Sequence, residues 1–303
     1  MKSVIPIILL VAFSLIFTST KSSTVGSFQQ FVLVNESNTA TTQSFALSNF
    51  TISWNASNLQ LSISNNGKIL WQNLANTGFV GAAIGNETIT EQAGSFSIKD
   101  NIQNQTTHQT VHQIIATTNN ISIIGDIFSS NDTIEYTLTF SLNQYGDLHF
   151  SLTTNNSNYN RLFLSYACNS NEQFFGLGEQ QSHFNHKGNR VPIIVQEQGV
   201  GRGDVYSNNP IENFIVNLVL GNAVGDDYTS YKVAPHYISS NINSIYLENY
   251  EYSEFDFTKT NQVQIELFST TMQGNIIYAN TVYDVFKSYT NFRGRNRMYF
   301  RIG

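Results

Sequence analysis

Side chains able to hold a ligand are dense between Phe174 and Gly203, a stretch that reads FFGLGEQQSHFNHKGNRVPIIVQEQGVGRG. Glu179, Gln180, Gln181, Glu197, Gln198 and Arg202 are interleaved there with Gly176, Gly178, Gly188, Gly199, Gly201 and Gly203. Glycine at that density permits tight turns and close backbone approach. Carboxylates, planar amides and a guanidinium satisfy sugar hydroxyls, or one another. Two readings follow: an internal network that fixes a long loop, or a loop that leans over a sugar pocket. In the second, these residues shape the pocket and neither make nor break bonds.

Other reactive types are scattered. Asp226-Asp227 follows Gly225 and reads as a solvated turn. Glu254 and Asp256 share strand parity, with Phe255 and Phe257 opposite, so they read as the wet face of a strand. Glu248 and Glu251 lie just upstream. His183-x-x-His186 has ligand spacing, but a zinc site needs more ligands than two, and no third is evident nearby. His108 and His112 have helical spacing in a segment that reads as strand. No metal and no cofactor is expected. Arg202-Gly203-Asp204 spells an adhesion tripeptide, but here it closes the glycine-rich stretch. No phosphate-binding loop, dinucleotide fingerprint or Gly-x-Ser-x-Gly elbow occurs. Cys168 is the sole cysteine, so no internal disulfide can form. It reads as a small buried hydrophobe, because its neighbours Asn169, Asn171 and Glu172 offer no activating positive charge.

The elements that must carry these residues alternate with period two. Leu59, Leu61 and Ile63 alternate with polar residues, and Asn66-Gly67 leads into Ile69-Leu70-Trp71. Two runs joined through Asn-Gly predict a hairpin. A second hairpin is predicted from Tyr136–Leu142 to Leu148–Leu152, through Tyr145-Gly146-Asp147. Further strands are predicted at 31–34, 96–99, 111–116, 121–124, 214–220, 244–247 and 263–268. Many short two-faced strands with only four prolines argue an all-β fold, a large antiparallel sandwich. One segment differs. Ile277, Tyr278, Val282, Val285, Phe286 and Tyr289 fall at 3–4 spacing, which predicts one C-terminal amphipathic helix over 275–292, ended by Gly294.

Charged residues make up 12% of the 303, about half the usual share, and the net charge is −6. Ser, Thr, Asn and Gln must supply the polar surface, and an electrostatic grip on nucleic acid is not expected. Met1-Lys2 followed by apolar Val4–Phe17 and then Thr18-Ser19-Thr20 reads as a secretory leader over residues 1–20. The apolar run is short of the roughly 20 residues a membrane span needs. No stable membrane span is expected after cleavage, and the destination is the outside of the cell or an endomembrane or lysosomal lumen. Eight N-x-S/T sequons, at Asn35, Asn49, Asn55, Asn86, Asn104, Asn120, Asn131 and Asn155, are candidate glycosylation sites. All precede residue 160. Either the Asn-rich composition produces them by chance, or the second half carries a face that a further domain covers.

Gly178-Glu179-Gln180 and Glu197-Gln198-Gly199-Val200-Gly201-Arg202 together resemble the loop-and-strand signature of family 31 α-glycosidases, in its sulfoquinovosidase-type branch. Ala234–Ser240 is similar to that family's P-x-F/Y-x-S-S strand, and Tyr252–Phe257 to the aromatic-acidic strand after it. A departure is Asn241-Ile242-Asn243-Ser244, where the family often has a Gly-Tyr-Gly-like turn. The resemblance spans about residues 172 to 294. It implies a galactose mutarotase-like sandwich over 21–274, then a linker helix and a truncated barrel start over 275–303. It implies hydrolysis of α-glycosides with retention by the full-length family, without cofactors. Glu179, Gln180, Glu197, Gln198 and Arg202 become the candidates for a loop at the substrate pocket. Retaining glycosidases need two carboxyl groups roughly 5 Å apart, and in this family both come from a barrel that follows the sandwich. No position here matches them, so no catalytic residue is expected and an α-glycoside is the expected partner, if any. Arg293, Arg295, Arg297 and Arg301 crowd the tail, four of the chain's seven arginines, which reads as a shortened gene. The alternative is a secreted carbohydrate-binding sandwich without hydrolase activity.

Overall fold

The Asn66-Gly67 pair forms the expected turn, with both residues at positive φ (49° and 81°), and joins two antiparallel strands. The computed structural model describes residues 27–34, 42–92, 94–180, 182–197 and 228–294. The strand expected at 214–220, Gln181, Gln198, Arg202, Asp226-Asp227, Asn35, the leader and the arginine-rich tail lie outside the described residues.

Twenty strands are described. The first seven are β1 (Val32–Leu33), β2 (Thr42–Leu47), β3 (Phe50–Asn55), β4 (Gln60–Asn65), β5 (Lys68–Gln72), β6 (Val80–Gln92) and β7 (Ser95–Gln105). The next six are β8 (His108–Gln109), β9 (Gln113–Ala116), β10 (Asn120–Phe128), β11 (Thr133–Leu142), β12 (Leu148–Thr154) and β13 (Arg161–Ala167). The last seven are β14 (Phe174–Gly178), β15 (Arg190–Ile193), β16 (Val233–Ser239), β17 (Asn243–Leu247), β18 (Ser253–Asp256), β19 (Gln262–Leu267) and β20 (Thr271–Tyr278). One sheet runs β1-β8-β10-β11-β12-β20-β17-β16-β14, with β9 also on β10. A second runs β15-β18-β19-β13-β6-β7, and a third β2-β3-β4-β5. Every pairing is antiparallel except the two-residue β1–β8 contact. The large antiparallel sandwich is therefore confirmed.

Alternation builds the core. Ile121, Ile123 and Ile127 of β10, Tyr136, Leu138 and Phe140 of β11, and Leu148, Phe150 and Leu152 of β12 point inward and are buried. They meet Leu162, Leu164 and Tyr166 of β13 and Val263, Ile265 and Leu267 of β19 in one cluster. Each such side chain contributes about 2 kcal/mol by leaving water. The sheets share a lateral sense. β15 packs against β16 at one end, and β6 against β8 and β10 at the other.

The C-terminal helix is shorter than its periodicity predicts. Ile276, Ile277 and Tyr278 belong to β20, which pairs with both β12 and β17. The helix, α1 (Val282–Arg293), starts only after them. Thr281 caps it, its Oγ1 accepting from the Asp284 N–H. Period-3–4 spacing cannot separate a strand end from a helix start when both faces carry apolar residues. Val285 buries against Ile238 and Ile277, and Tyr289 stacks on His236 at 4.1 Å and 7°.

Candidate functional site

The glycine-rich stretch begins as β14, and its backbone is unusual. Gly176, Leu177 and Gly178 have φ of 121°, 62° and 94°, and pairing with β16 slips register between the two glycines. A Cβ at Gly178 would stand 2.3 Å from the Lys232 carbonyl oxygen, and one at Gly176 2.7 Å from that of His236. Positive φ and close backbone together require glycine at both. The Glu179 N–H then donates to the Lys232 carbonyl at 2.7 Å.

Ser230, fully buried, ties the two halves of the signature together. Its hydroxyl lies 3.2 Å from the Glu179 carbonyl oxygen and 3.0 Å from that of Lys232. Its own carbonyl accepts from the Gln196 N–H at 2.9 Å. Gln196 in turn accepts from the Phe96 N–H through Oε1, and the Glu197 N–H donates to the Gly94 carbonyl. The loop after β15 is thus stitched to the β6–β7 turn. Gln180 turns back, its Nε2 donating to the Leu177 carbonyl. The Glu179 and Glu197 side chains are exposed, and neither carboxylate has a hydrogen-bond partner among the described residues. The two sequence readings therefore divide between atoms: backbone forms the internal network, and the carboxylates stay outside it. Ser230 was missed because a lone serine outside any motif carries no signal.

His186 supports this loop from beneath. It is buried, its Nε2 lies 3.2 Å from the Gly176 carbonyl oxygen, and its ring stacks against Phe257. His112 pairs with Thr110 and Asp126, and His108 with Thr107. Among the described residues no three His, Cys, Asp or Glu side chains converge as a metal site would need.

The acidic strand corrects the sequence reading. Glu254 and Asp256 are buried, at 1% and 3% exposure, and are not a wet face. The reason is that the outer face of the second sheet is roofed. Gln29 exchanges hydrogen bonds with Gln264 across it, and Arg161 lies 3.6 Å over the Phe268 ring, itself packed on Tyr252. Arg190, on the neighbouring strand β15, donates from Nε to Asp256 at 2.9 Å and pairs with Asp256 again through Nη2. Its Nη1 lies 3.5 Å from Glu254. The Tyr252 hydroxyl donates to Glu254 Oε1, and Thr258 donates to Asp256 from its N–H and its hydroxyl. Glu266 stands directly across from Glu254 in the β18–β19 register. The Arg190 guanidinium thus pairs with Asp256 and Glu254, while Glu266 has no ion pair among the described residues and feels Arg190 and Arg161 only from a distance. Burial pushes the Glu254 carboxyl up to about 7, against the hydrogen bond from Tyr252 and the Arg190 charge. Burial and then the facing Glu254 push Glu266 up to about 8.

Cys168 is half-buried, and Lys187 Nζ lies 3.0 Å from its sulfur. The chain does bring a cation to the thiol, from nineteen residues away. Burial still outweighs that cation and leaves the thiol pKa raised. A pocket of about 360 Å³ opens where α1 ends, lined by Glu248, Tyr250, Glu251, Gln273, Phe292 and Arg293 among others. Tyr250 is 87% exposed there. Glu251 accepts from the Tyr250 N–H, Asn249 and Ser269. Among the described residues no helix is long and apolar enough to cross a membrane.

A family model described as "Glycosyl hydrolase 31 N-terminal galactose mutarotase-like domain" matches residues 16–256. The chain belongs to this family. The family 31 sandwich is 28% identical over 204 residues to the sulfoquinovosidase of Escherichia coli K12, covering 67% of this chain and 28% of that protein. It is 29% identical over 144 residues to the sulfoquinovosidase of Agrobacterium fabrum C58, covering 48% and 21%. It shares its fold with a solved family 31 sulfoquinovosidase from E. rectale in complex with an aza-sugar inhibitor, at TM-score 0.65 and 20% identity. That match covers 84% of this chain and 34% of the other. The chain spans less than a third of the length of these two curated relatives.

Proposed function

We propose that this family 31 sandwich is the non-catalytic part of an α-glycosidase acting on sulfoquinovoside-like or related α-glycosides. Its role is to hold the signature loop at the rim of a sugar site that other residues complete. One observation carries the reading. The acids that the sheet brings together, Glu254, Asp256 and Glu266, are committed to Arg190, Tyr252 and one another inside a roofed face. A retaining pair must instead flank an open space where the glycosidic oxygen sits. Glu179 and Glu197 are exposed and mounted on fixed backbone, which suits sugar contacts and not proton transfer in a dry site. The test is hydrolysis of 4-nitrophenyl α-glucoside and α-sulfoquinovoside by the purified chain. No turnover is expected, and turnover that E254Q or E266Q abolishes would overturn the proposal.

A second reading, a sugar-binding module, is favoured by the pocket beside Tyr250. An exposed aromatic face flanked by carboxylates and an amide is a fitting surface for a pyranose. Glycan-array binding by the wild-type chain that Y250A removes would support it.

A further inference from the structure

The described sequons differ in what their asparagine amides are doing. The Asn104 Nδ2 group donates to the Tyr159 hydroxyl at 2.9 Å and to Asp132 Oδ2 at 3.3 Å, so both its N–H bonds are engaged. The hydroxyl of the same sequon, on Thr106, is buried and bonded to the Ala82 N–H and carbonyl. The other six are arranged differently. Asn49, Asn86 and Asn131 are exposed, with no side-chain hydrogen bond among the described residues. Asn55, Asn120 and Asn155 use only Oδ1, as an acceptor from Ser57, Thr117 and the Glu135 N–H. Their Nδ2 atoms have no hydrogen-bond partner among the described residues.

We propose that Asn49, Asn55, Asn86, Asn120, Asn131 and Asn155 carry N-linked oligosaccharides and that Asn104 carries none. An N-glycosidic bond forms between Nδ2 and the anomeric carbon of a lipid-pyrophosphate-linked oligosaccharide supplied by the secretory host; the lipid pyrophosphate leaves, Nδ2 gives up one hydrogen as a proton, and a bulky group stands there. Six sites accept that change with every described hydrogen bond intact. Asn104 does not, because the added sugar displaces Tyr159 or Asp132 and pries at the β6–β7 edge. Asn49 lies in the β2–β3 turn and Asn55 ends β3, on the third sheet. Asn86 lies on β6, Asn120 opens β10, Asn131 sits in the β10–β11 turn and Asn155 follows β12. Strands β14 to β19 carry no sequon. They flank the Glu179 and Glu197 loops and form the opposite end of both large sheets.

This inference requires that residues 1–20 deliver the chain to the secretory pathway, and it does not rest on the glycosidase reading. The test is expression of the full chain, with its own first residues, in a eukaryotic secretory host. Glycopeptides from the microsomal and secreted fractions are treated with peptide N-glycosidase in heavy-oxygen water and read by mass spectrometry. The expected result is a heavy aspartate at the six sites and unmodified Asn104 in the folded, secreted protein. Occupied Asn104 in that fraction overturns the inference, as does a chain without glycans in every fraction. Independently, N131Q should remove one step from the gel-mobility ladder, and no change there also overturns it. Absence of glycosidase turnover leaves the inference standing.

Discussion

Replacing Glu266 with glutamine should make the protein more stable at neutral pH and leave it unchanged in acid. Glu266 faces Glu254 across antiparallel strands, and Arg190 is already engaged by Asp256 and Glu254. In the native state its carboxyl holds its proton up to about pH 8, against an ordinary value of 4.5. The unfolded chain has lost that proton by then. The native form is therefore favoured fully below about pH 4.5, and this advantage disappears as pH rises through about 8. Between pH 5 and pH 8 the change has an upper limit of about 3.5 kcal/mol, at 1.36 kcal/mol per unit. Glu266 keeps some contact with water, so about 1–2 kcal/mol is the expected size. Glutamine has the shape of the protonated acid and no proton to lose. E266Q should match wild type at pH 5 and exceed it by about 1–2 kcal/mol at pH 8, a rise of about 2–8 °C in Tm. Thermal and urea unfolding at pH 5, 6, 7 and 8 give the answer. Equal destabilisation of E266Q at every pH would refute the reasoning, because it would mean that the carboxylate is ionised and held by a partner.

Other changes probe the same frame. R190M should cost about 3–5 kcal/mol at pH 7, since it leaves Glu254 and Asp256 buried without a counter-charge, and urea unfolding measures it. G178A should cost roughly 1–3 kcal/mol for the positive φ, with the clash against the Lys232 carbonyl in addition, and thermal unfolding reads the sum. S230A should cost about 0.5–1.5 kcal/mol by removing the hydroxyl that bridges the Glu179 and Lys232 carbonyls, and limited proteolysis should then cut near residues 179–197 first.

Much of the sandwich was legible in the sequence because period-two alternation reports a sheet with one buried face. Ile121–Ile127 and Tyr136–Phe140 fall where that rule puts them. The rule fails where both faces are covered. In β13 every position from Arg161 to Tyr166 is buried, so no alternation announces it. The same cause misplaced Glu254 and Asp256: parity names the face a residue shares, and nothing local says that Gln29, Arg161 and Phe268 will roof it. The glycine-rich stretch was visible as a motif, and Gly176 and Gly178 show why its glycines are needed. Its partners were not visible, because Ser230 and Lys232 lie about fifty residues away from Glu179.

The charges themselves explain the architecture better than the motif does. With only 12% charged residues, this chain still places Glu254, Asp256, Glu266 and Arg190 together on a roofed face. Burying a carboxylate is costly unless it is paired or protonated. A sheet selected for stability alone would put Thr or Val at such cross-strand positions, where packing is rewarded. Facing Glu266 with Glu254, with Arg190 paired to Glu254 and Asp256 and Arg161 paired to Asp100, makes the face sensitive to any added positive charge or proton. The signature loop begins at the far edge of the neighbouring sheet, on β14, whose Phe174 packs against Phe257, next to Asp256. A shift in the Arg190 cluster therefore reaches the base of the loop through two rings in contact. E266Q tests this coupling as well as stability. If the rings transmit the charge state, amide exchange at residues 174–179 should slow in E266Q at pH 8 and match wild type at pH 5. Equal exchange at both pH values would confine the cluster to holding its own sheet.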